Sequence, residues 1–346
     1  MDSLKRKRRL PAEWEKQEEV LLAWPHENTD WRSRLESAER VAGEIARCVS
    51  WSQGLTVVGP DPERIREKLT RSGVLLERTR IFQLDTNDTW VRDFGPITVL
   101  EEGERVLLDF GFNGWGLRFP ADLDNRTSRR LWELGAWKNT RMETVGMILE
   151  GGSIESDGQG AVLTTARCLL HPNRNPRLSR AGIERKLRDL LGAERVLWLE
   201  NGHLAGDDTD SHVDTLARFC PGDAILYTAC DDPADEHFEP LRAMARELEQ
   251  FRTRAGNPYR LIPLPWPTPC HDETGERIPA TYANFLVLNG AVLVPAYGSG
   301  KDAEAMEVIG RAFPERRIEG IDCGPLLFEH GSLHCATMQI PEGFTA

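Results

Sequence analysis

Val91-Arg92-Asp93-Phe94-Gly95-Pro96-Ile97-Thr98-Val99 opens a pattern that the chain then repeats. A polar head runs into a β-prone strand, a turn follows at Glu101-Glu102-Gly103-Glu104, and a second, apolar strand occupies 106–112. An amphipathic helix near 128–134 and a third strand over 144–149 complete the unit. The same order returns from the head Glu150-Gly151-Gly152-Ser153-Ile154-Glu155, with turn 157–160, strand 161–166, helix 179–191 and strand 196–199. A third unit begins with the strand predicted over 212–219 and a fourth with the strand over 281–288, the latter carrying the Asn289-Gly290 turn and a helix at 302–313. A fifth opens at Ser332-Leu333-His334-Cys335-Ala336-Thr337-Met338-Gln339-Ile340, and its missing strand, helix and strand are on offer at the other end, near Val20, Arg34 and Leu55. The expectation is an α/β fold: a five-bladed propeller of pseudo-fivefold ββαβ units closed by the N- and C-terminal segments. An open α/β sheet is the alternative.

If the units stand in a ring, their heads meet at the axis. The residues brought together are then Asp93, Glu150, His212 with Asp214, Tyr282 or Asn284, and Cys335, with Asp93, Glu150, His212, Tyr282 and Cys335 separated by 57, 62, 70 and 53 residues. The densest head is Asp207-Asp208-Thr209-Asp210-Ser211-His212-Val213-Asp214, four carboxylates and a histidine. On a strand, His212 and Asp214 would share a face. A solvated acidic turn or a metal site are other uses for such a cluster, but no second histidine stands at ligand spacing and no Cys-x-x-Cys occurs. Half of a catalytic constellation is the third use, with Cys335 as nucleophile. A thiol, an imidazole and several acids favour a positively charged reacting group, since carboxylates accept hydrogen bonds where an oxyanion would need donors. A guanidinium fits best, because two carboxylates can take its planar fork of donors.

At 346 residues and a net charge of −12 the chain has a soluble composition that argues against a nucleic-acid partner and favours cationic ligands. No apolar run is long enough for a membrane span, and the basic segment 1–10 is followed by Pro11-Ala12-Glu13-Trp14 in place of a secretory signal's apolar stretch. Residues 1–10 are expected to form a flexible tail and 11–346 a single catalytic domain. Seven scattered cysteines suit reduced thiols in a cytoplasm, with Cys48, Cys168 and Cys220 as small core residues. A homo-oligomer is left open.

Trp90-Val91-Arg92-Asp93-Phe94-Gly95-Pro96, Glu150-Gly151-Gly152-Ser153-Ile154, the run 207–214, Ala280-Thr281-Tyr282-Ala283-Asn284-Phe285 and Leu333-His334-Cys335 together resemble agmatine deiminase and the bacterial type of peptidyl-arginine deiminase, in the guanidino-group-modifying (pentein) superfamily. Trp24-Pro25, Asp30-Trp31-Arg32 and Phe112-Asn113-Gly114-Trp115-Gly116 extend the resemblance into the N-terminal half. It implies a five-bladed α/β propeller and hydrolytic deimination without metal or cofactor. Cys335 would attack the guanidinium carbon, Asp93 and Asp214 would hold its nitrogens, and His212 would serve the leaving ammonia and then the water. Trp90, Trp115, Glu150 and Asp208 are the expected further substrate contacts, although Glu150 could equally buttress its Gly-Gly turn and the tryptophans could be core. Agmatine, giving N-carbamoylputrescine and ammonia, is the expected substrate. Free arginine would need an arginine clamp, for which Arg92, Arg174 and Arg218 are candidates, and peptidyl-arginine an open mouth. An amidinotransferase and a non-catalytic binding propeller are the competing classes. The family's Gly-Gly-Gly-Asn-Ile-His-Cys is here Glu329-His330-Gly331-Ser332-Leu333-His334-Cys335, which bears on the loop's shape and on substrate preference. His330 and His334 rank below His212 because no acid stands near them at a useful spacing in sequence.

Overall fold

The computed structural model describes residues 7–343. Five sheets repeat one plan: a short strand pairs antiparallel with a buried middle strand, which pairs parallel with a third. Ile97–Glu101, Glu104–Gly111 and Arg141–Ile148 make the first, and Ile154–Ser156, Ala161–Thr165 and Arg195–Leu199 the second. Ala217–Cys220, Ala224–Thr228 and Arg260–Leu264 make the third; Leu286–Val287, Ala291–Ala296 and Arg317–Asp322 the fourth. The fifth joins the two ends of the chain: Thr337–Pro341 lies antiparallel to Gln17–Ala23, followed in parallel by Gly54–Gly59 and Thr79–Gln83. A hairpin of Cys270–His271 and Arg277–Ile278 stands apart.

Parallel neighbours need a crossover, and a helix supplies it each time: Asp124–Glu133, Arg180–Leu191, Phe238–Leu248, Asp302–Ala312 and, in the fifth sheet, Leu35–Ser52. In the last, Ala38, Val41, Ala42, Ile45, Ala46 and Val49 are all buried, the spacing of one helical face. Ser179 accepts a hydrogen bond from the Gly182 N–H to start Arg180–Leu191, and Gly192, at φ 74°, ends it. The middle strands are largely buried on both faces, as in Ala161–Thr165, which explains why apolar residues run consecutively in them without alternating. No helix among the described residues is long and apolar enough to cross a membrane.

Two expectations need correction. The heads are not strands: Val91–Phe94 is a single helical turn, Gly151–Ser153 and Val213–Thr215 are 3-10 turns, and strands begin only at Ile97, Ile154 and Ala217. The period-two argument for His212 and Asp214 therefore fails, and a tight turn aims them instead. Nor is all of 1–10 a loose tail. Residues 1–6 lie outside those described, but Arg8–Arg9 is a strand paired with Leu100 and Glu101, anchored by Arg8 donating to Glu101 (3.0 Å) and Glu143 (2.7 Å).

Candidate active site

The head turns deliver their side chains to a common cavity of about 290 Å³. Asp93 comes from the turn Val91–Phe94, His212 and Asp214 from the turn before Ala217–Cys220, and Cys335 from the turn before Thr337–Pro341. Asn284, rather than Tyr282, is the fourth unit's contribution: it donates from Nδ2 to Cys335 Sγ (3.3 Å) and to Asp214 Oδ2 (3.3 Å). Its Oδ1 accepts from the His334 N–H, which holds the nucleophile's own turn (2.9 Å). The Tyr282 hydroxyl instead donates to Asp302 (2.6 Å) in the core. Cys335 Sγ stands 3.8 Å from Asp214 Oδ2, so thiol, imidazole and both acids converge as expected.

The Gly-Gly pair has a steric reason. A Cβ on Gly152 would lie 2.7 Å from His212 Nδ1, 2.9 Å from Asp93 Oδ1 and 3.1 Å from Asp214 Oδ2. The bare Gly152 N–H instead donates to Asp93 Oδ1 (2.9 Å) while Trp115 Nε1–H donates to Oδ2 (2.9 Å). Gly331 is required as well, since its Cβ would meet the Trp90 ring at 2.5 Å. At the departure noted before Cys335, His330 takes the left-handed φ of 62° that a glycine would take freely. Its ring nitrogen Nδ1 lies 2.7 Å from the Gly206 carbonyl, which helps hold that conformation.

His212 is fully buried. Its Nδ1 lies 3.6 Å from Asp93 and its Nε2 3.5 Å from Glu150, and neither nitrogen makes a hydrogen bond of good geometry. Burial works against its imidazolium, but Asp93 and Cys168 facing it lift its pKa well above the usual range. Burial pushes the Cys335 thiol well up, and Asp214 and Asp93 push it further. Asp93 is raised by burial, with His212 opposing and Asp214 adding to it. For Asp214 burial is outweighed by His334, which holds the carboxyl below its usual range.

His334 has the acid partners that sequence spacing hid: Nδ1 is 2.8 Å from Asp214 Oδ2 and Nε2 is 2.8 Å from Glu13 Oε1. Glu13 arrives from 321 residues away and also accepts from Arg92 (3.2 Å) and Arg218. Arg92 and Arg218 are thus committed beneath the site. Arg174 is committed behind it, donating to Glu150 (2.8 Å), Asp210 (2.6 Å) and the Thr209 carbonyl (2.9 Å). Glu150, expected among the substrate contacts, stands behind His212 with Arg174 and does not line the cavity. Burial opposes its charge, but His212 and Arg174 hold its pKa below the usual range.

The run 207–214 divides its labour. Asp207 accepts from the Ser211 N–H (2.6 Å) and Asp210 from Arg118 (3.0 Å) and Arg174, bracing two successive left-handed residues, Asp210 and Ser211. Asp208 lines the cavity with Trp90, Trp115 and Phe119. Asp30, Asp88, Glu329 and His330 line it too; Asp30 lay in a motif of the resemblance and Glu329-His330 in the altered loop, whereas Asp88 had no sequence signal beyond being polar. Burial, with nearby acids adding to it, raises Asp88 well above its ordinary value, raises Glu329, and lifts Asp208 to about 6.

Residues 9–341 match the family model for Porphyromonas-type peptidyl-arginine deiminase. Over 96% of this chain and 95% of the other, the protein is 34% identical to the agmatine deiminase of Pseudomonas aeruginosa (strain LESB58). The structure of a cysteine-to-serine variant of the C. jejuni agmatine deiminase with substrate bound superposes with a TM-score of 0.92 at 36% identity, over 100% of this chain and 99% of that one. A Porphyromonas gingivalis protein, provisionally described as an arginine deiminase, superposes at 0.93 with 48% identity, over 98% of this chain and 100% of that one. Alike along nearly its whole length in sequence and in the course of its backbone, the chain belongs to the agmatine deiminase and Porphyromonas-type peptidyl-arginine deiminase family.

Proposed function

We propose that this chain hydrolyses the guanidino group of agmatine, giving N-carbamoylputrescine and ammonia. The observation that carries the substrate is the cavity's charge. Seven carboxyl side chains line it (Asp30, Asp88, Asp93, Asp207, Asp208, Asp214 and Glu329) and, among the described residues, no lysine or arginine does. Asp93 and Asp214 are fully buried beside Cys335, whereas Asp88, Asp208 and Glu329 are half-buried and Asp30 is exposed. A substrate with a cation at each end matches both groups, and agmatine has its guanidinium and its amine so placed. The α-carboxylate of free arginine would instead sit among the outer acids, and juxtaposed like charges cost several kcal/mol.

Asp93 and Asp214 grip the guanidinium nitrogens and hold its carbon against the Cys335 sulfur. The substrate's own positive charge offsets the burial and the two carboxylates that keep the thiol protonated, so the thiol gives its proton to solvent and the thiolate forms when the substrate is bound. The thiolate attacks the guanidinium carbon, the C–N bond breaks, and His212 gives its proton to the departing ammonia. Water, losing a proton to His212, then attacks the thiouronium carbon; the C–S bond breaks, leaving the ureido product and restoring Cys335. Trp90, Trp115 and Phe119 wall the methylene chain. Glu150, joined to Arg174, orients His212.

We infer further that the five sheets are blades of one closed ring, with residues 11–346 as a single catalytic domain. Three features favour this: the plan repeats in every sheet, the fifth sheet joins both chain ends, and head turns from separate sheets face one cavity. Seven free thiols suit a reducing compartment such as the cytoplasm.

The test is a side-by-side assay of ammonia and ureido product from agmatine, free arginine and an arginyl peptide. The expectation is a kcat/KM for agmatine at least about 100-fold above that for arginine, the equivalent of ~2.7 kcal/mol, and no ammonia from the Cys335→Ala variant. Equal or better turnover of arginine overturns the substrate, and ammonia release by Cys335→Ala overturns the mechanism.

A further inference from the structure

Cys168, expected only to fill core, stands against the face of His212 that looks away from Asp93. Its Sγ is 3.7 Å from Glu150 Oε2, and that same oxygen is 3.5 Å from His212 Nε2. All three donor atoms lie within 4.8 Å of one another. With zinc bonds of about 2.1 Å to nitrogen and oxygen and about 2.3 Å to sulfur, tetrahedral edges come to about 3.4 Å for N···O and about 3.6 Å for S···O. The two measured edges match this to about 0.1 Å.

The surroundings fit a metal as well as the donors do. His212 is 1% exposed and has no hydrogen-bond partner on either nitrogen, so no protein hydrogen bond has to be broken at Nε2. Its Nδ1 faces the Asp93 carboxylate at 3.6 Å, the partner a metal-bound imidazole usually has on its other nitrogen. The Arg174 Nε–H is shared between Glu150 Oε1 (2.9 Å) and Oε2 (2.8 Å), so Oε1 keeps that bond when Oε2 turns to the metal. One thiolate and one carboxylate neutralise a divalent ion, and the Arg174 charge is offset by Asp210 at 2.6 Å. His212 lines the cavity while Cys168 and Glu150 lie buried behind it, so an ion reaches them past the His212 ring.

We propose that Cys168, His212 and Glu150 form an inhibitory site for a thiophilic divalent cation of the Zn²⁺ class. On binding, the Cys168 thiol and the His212 imidazolium each give a proton to solvent and Nε2 takes the metal, so the imidazole, held as a weakly acidic Nδ1–H, can no longer carry a proton to ammonia or from water. Metal and turnover compete for one imidazole. The inhibition depends on the role given to His212 above; the binding does not.

The two are therefore tested apart. Binding is read with Co²⁺ as the probe, through its near-ultraviolet sulfur-to-cobalt charge-transfer band, in the Cys335→Ala variant, which removes the nucleophile as a competing ligand. One equivalent giving that band, lost when Cys168→Ser is added, is the expected result. A band absent from Cys335→Ala, or one that survives Cys168→Ser, overturns the site. Inhibition is read as the Zn²⁺ concentration halving agmatine turnover, reversed by chelator. Cys168→Ser should raise that concentration at least about tenfold, since losing a ligand costs no less than losing a supporting partner; an unchanged value overturns the inhibitory role. Should Cys168→Ser fail to fold, X-ray absorption on Zn²⁺-loaded Cys335→Ala decides. One sulfur in the metal's shell supports the site, and a shell of nitrogen and oxygen alone overturns it.

Discussion

Replacing Gly152 by alanine tests the closeness of the catalytic turns with a single methyl group. The φ of Gly152 lies outside the left-handed region, so the backbone tolerates alanine and the effect is one of contact alone. The new Cβ would sit 2.7 Å from His212 Nδ1 and 2.9 Å from Asp93 Oδ1, where ordinary contact begins at 3.4 Å. His212 must then retreat by about 0.7 Å and Asp93 by about 0.5 Å, and a 1 Å misplacement of reacting groups costs on the order of 100-fold in rate. Overpacking a site this tight adds about 1–3 kcal/mol of instability. We expect kcat for agmatine to fall roughly 10- to 100-fold, measured from steady-state rates, with a lowered thermal midpoint in the same preparation. Activity within about threefold of the parent at an unchanged midpoint would refute the packing argument, since a site with that much slack does not hold its groups by contact.

Arg174→Met strands Glu150 and Asp210 without their buried cation, so urea denaturation should report a loss of about 3–5 kcal/mol; adding Glu150→Gln should restore part of it. Burial raises the outer carboxyls Asp88, Asp208 and Glu329, Asp208 to about 6, and a bound dication favours their ionised form. The KM for agmatine should therefore fall as pH rises through about 6, while that for butylguanidine, which lacks the amine, changes less; parallel curves would show that these acids do not meet the amine. Asp124 accepts from the N–H groups of Asn87 and Asp88, and burial raises its pKa to about 7. A carboxyl raised on folding contributes stability that is full below its unfolded pKa and lost as pH climbs through the folded one. Asp124→Asn should accordingly gain on the parent in denaturation midpoint between about pH 4 and about pH 7, and a constant difference over that range would count against the assignment.

The five repeated units were legible because each middle strand is an apolar run between turn residues, as at 161–165 and 291–296, and each crossover helix keeps one apolar face. The heads were misread because Val91 and Val213 are β-prone, whereas the local backbone is set by what the turn must reach: Asp93 by the Gly152 N–H, Asp210 by Arg118 and Arg174. Cys335, His212, Asp93 and Asp214 could be named because their chemistry is uncommon and their spacing even. Glu13 could not, since nothing in a linear sequence ties residue 13 to residue 334. Cys168 passed as core because sulfur in an apolar stretch usually is core, and its distance from His212 exists only after folding.

The pairing of Thr337–Pro341 with Gln17–Ala23 sets a delay into the birth of the molecule. During synthesis at about 5–20 residues per second, the edge of Gln17–Ala23 on that side stays open for roughly 15–60 s before its partner is made. That edge belongs to the apolar stretch Val20-Leu21-Leu22-Ala23, the kind of surface another nascent chain could adopt. A holding chaperone has most to protect here, and the nucleophile is seated in the same event that ends the exposure.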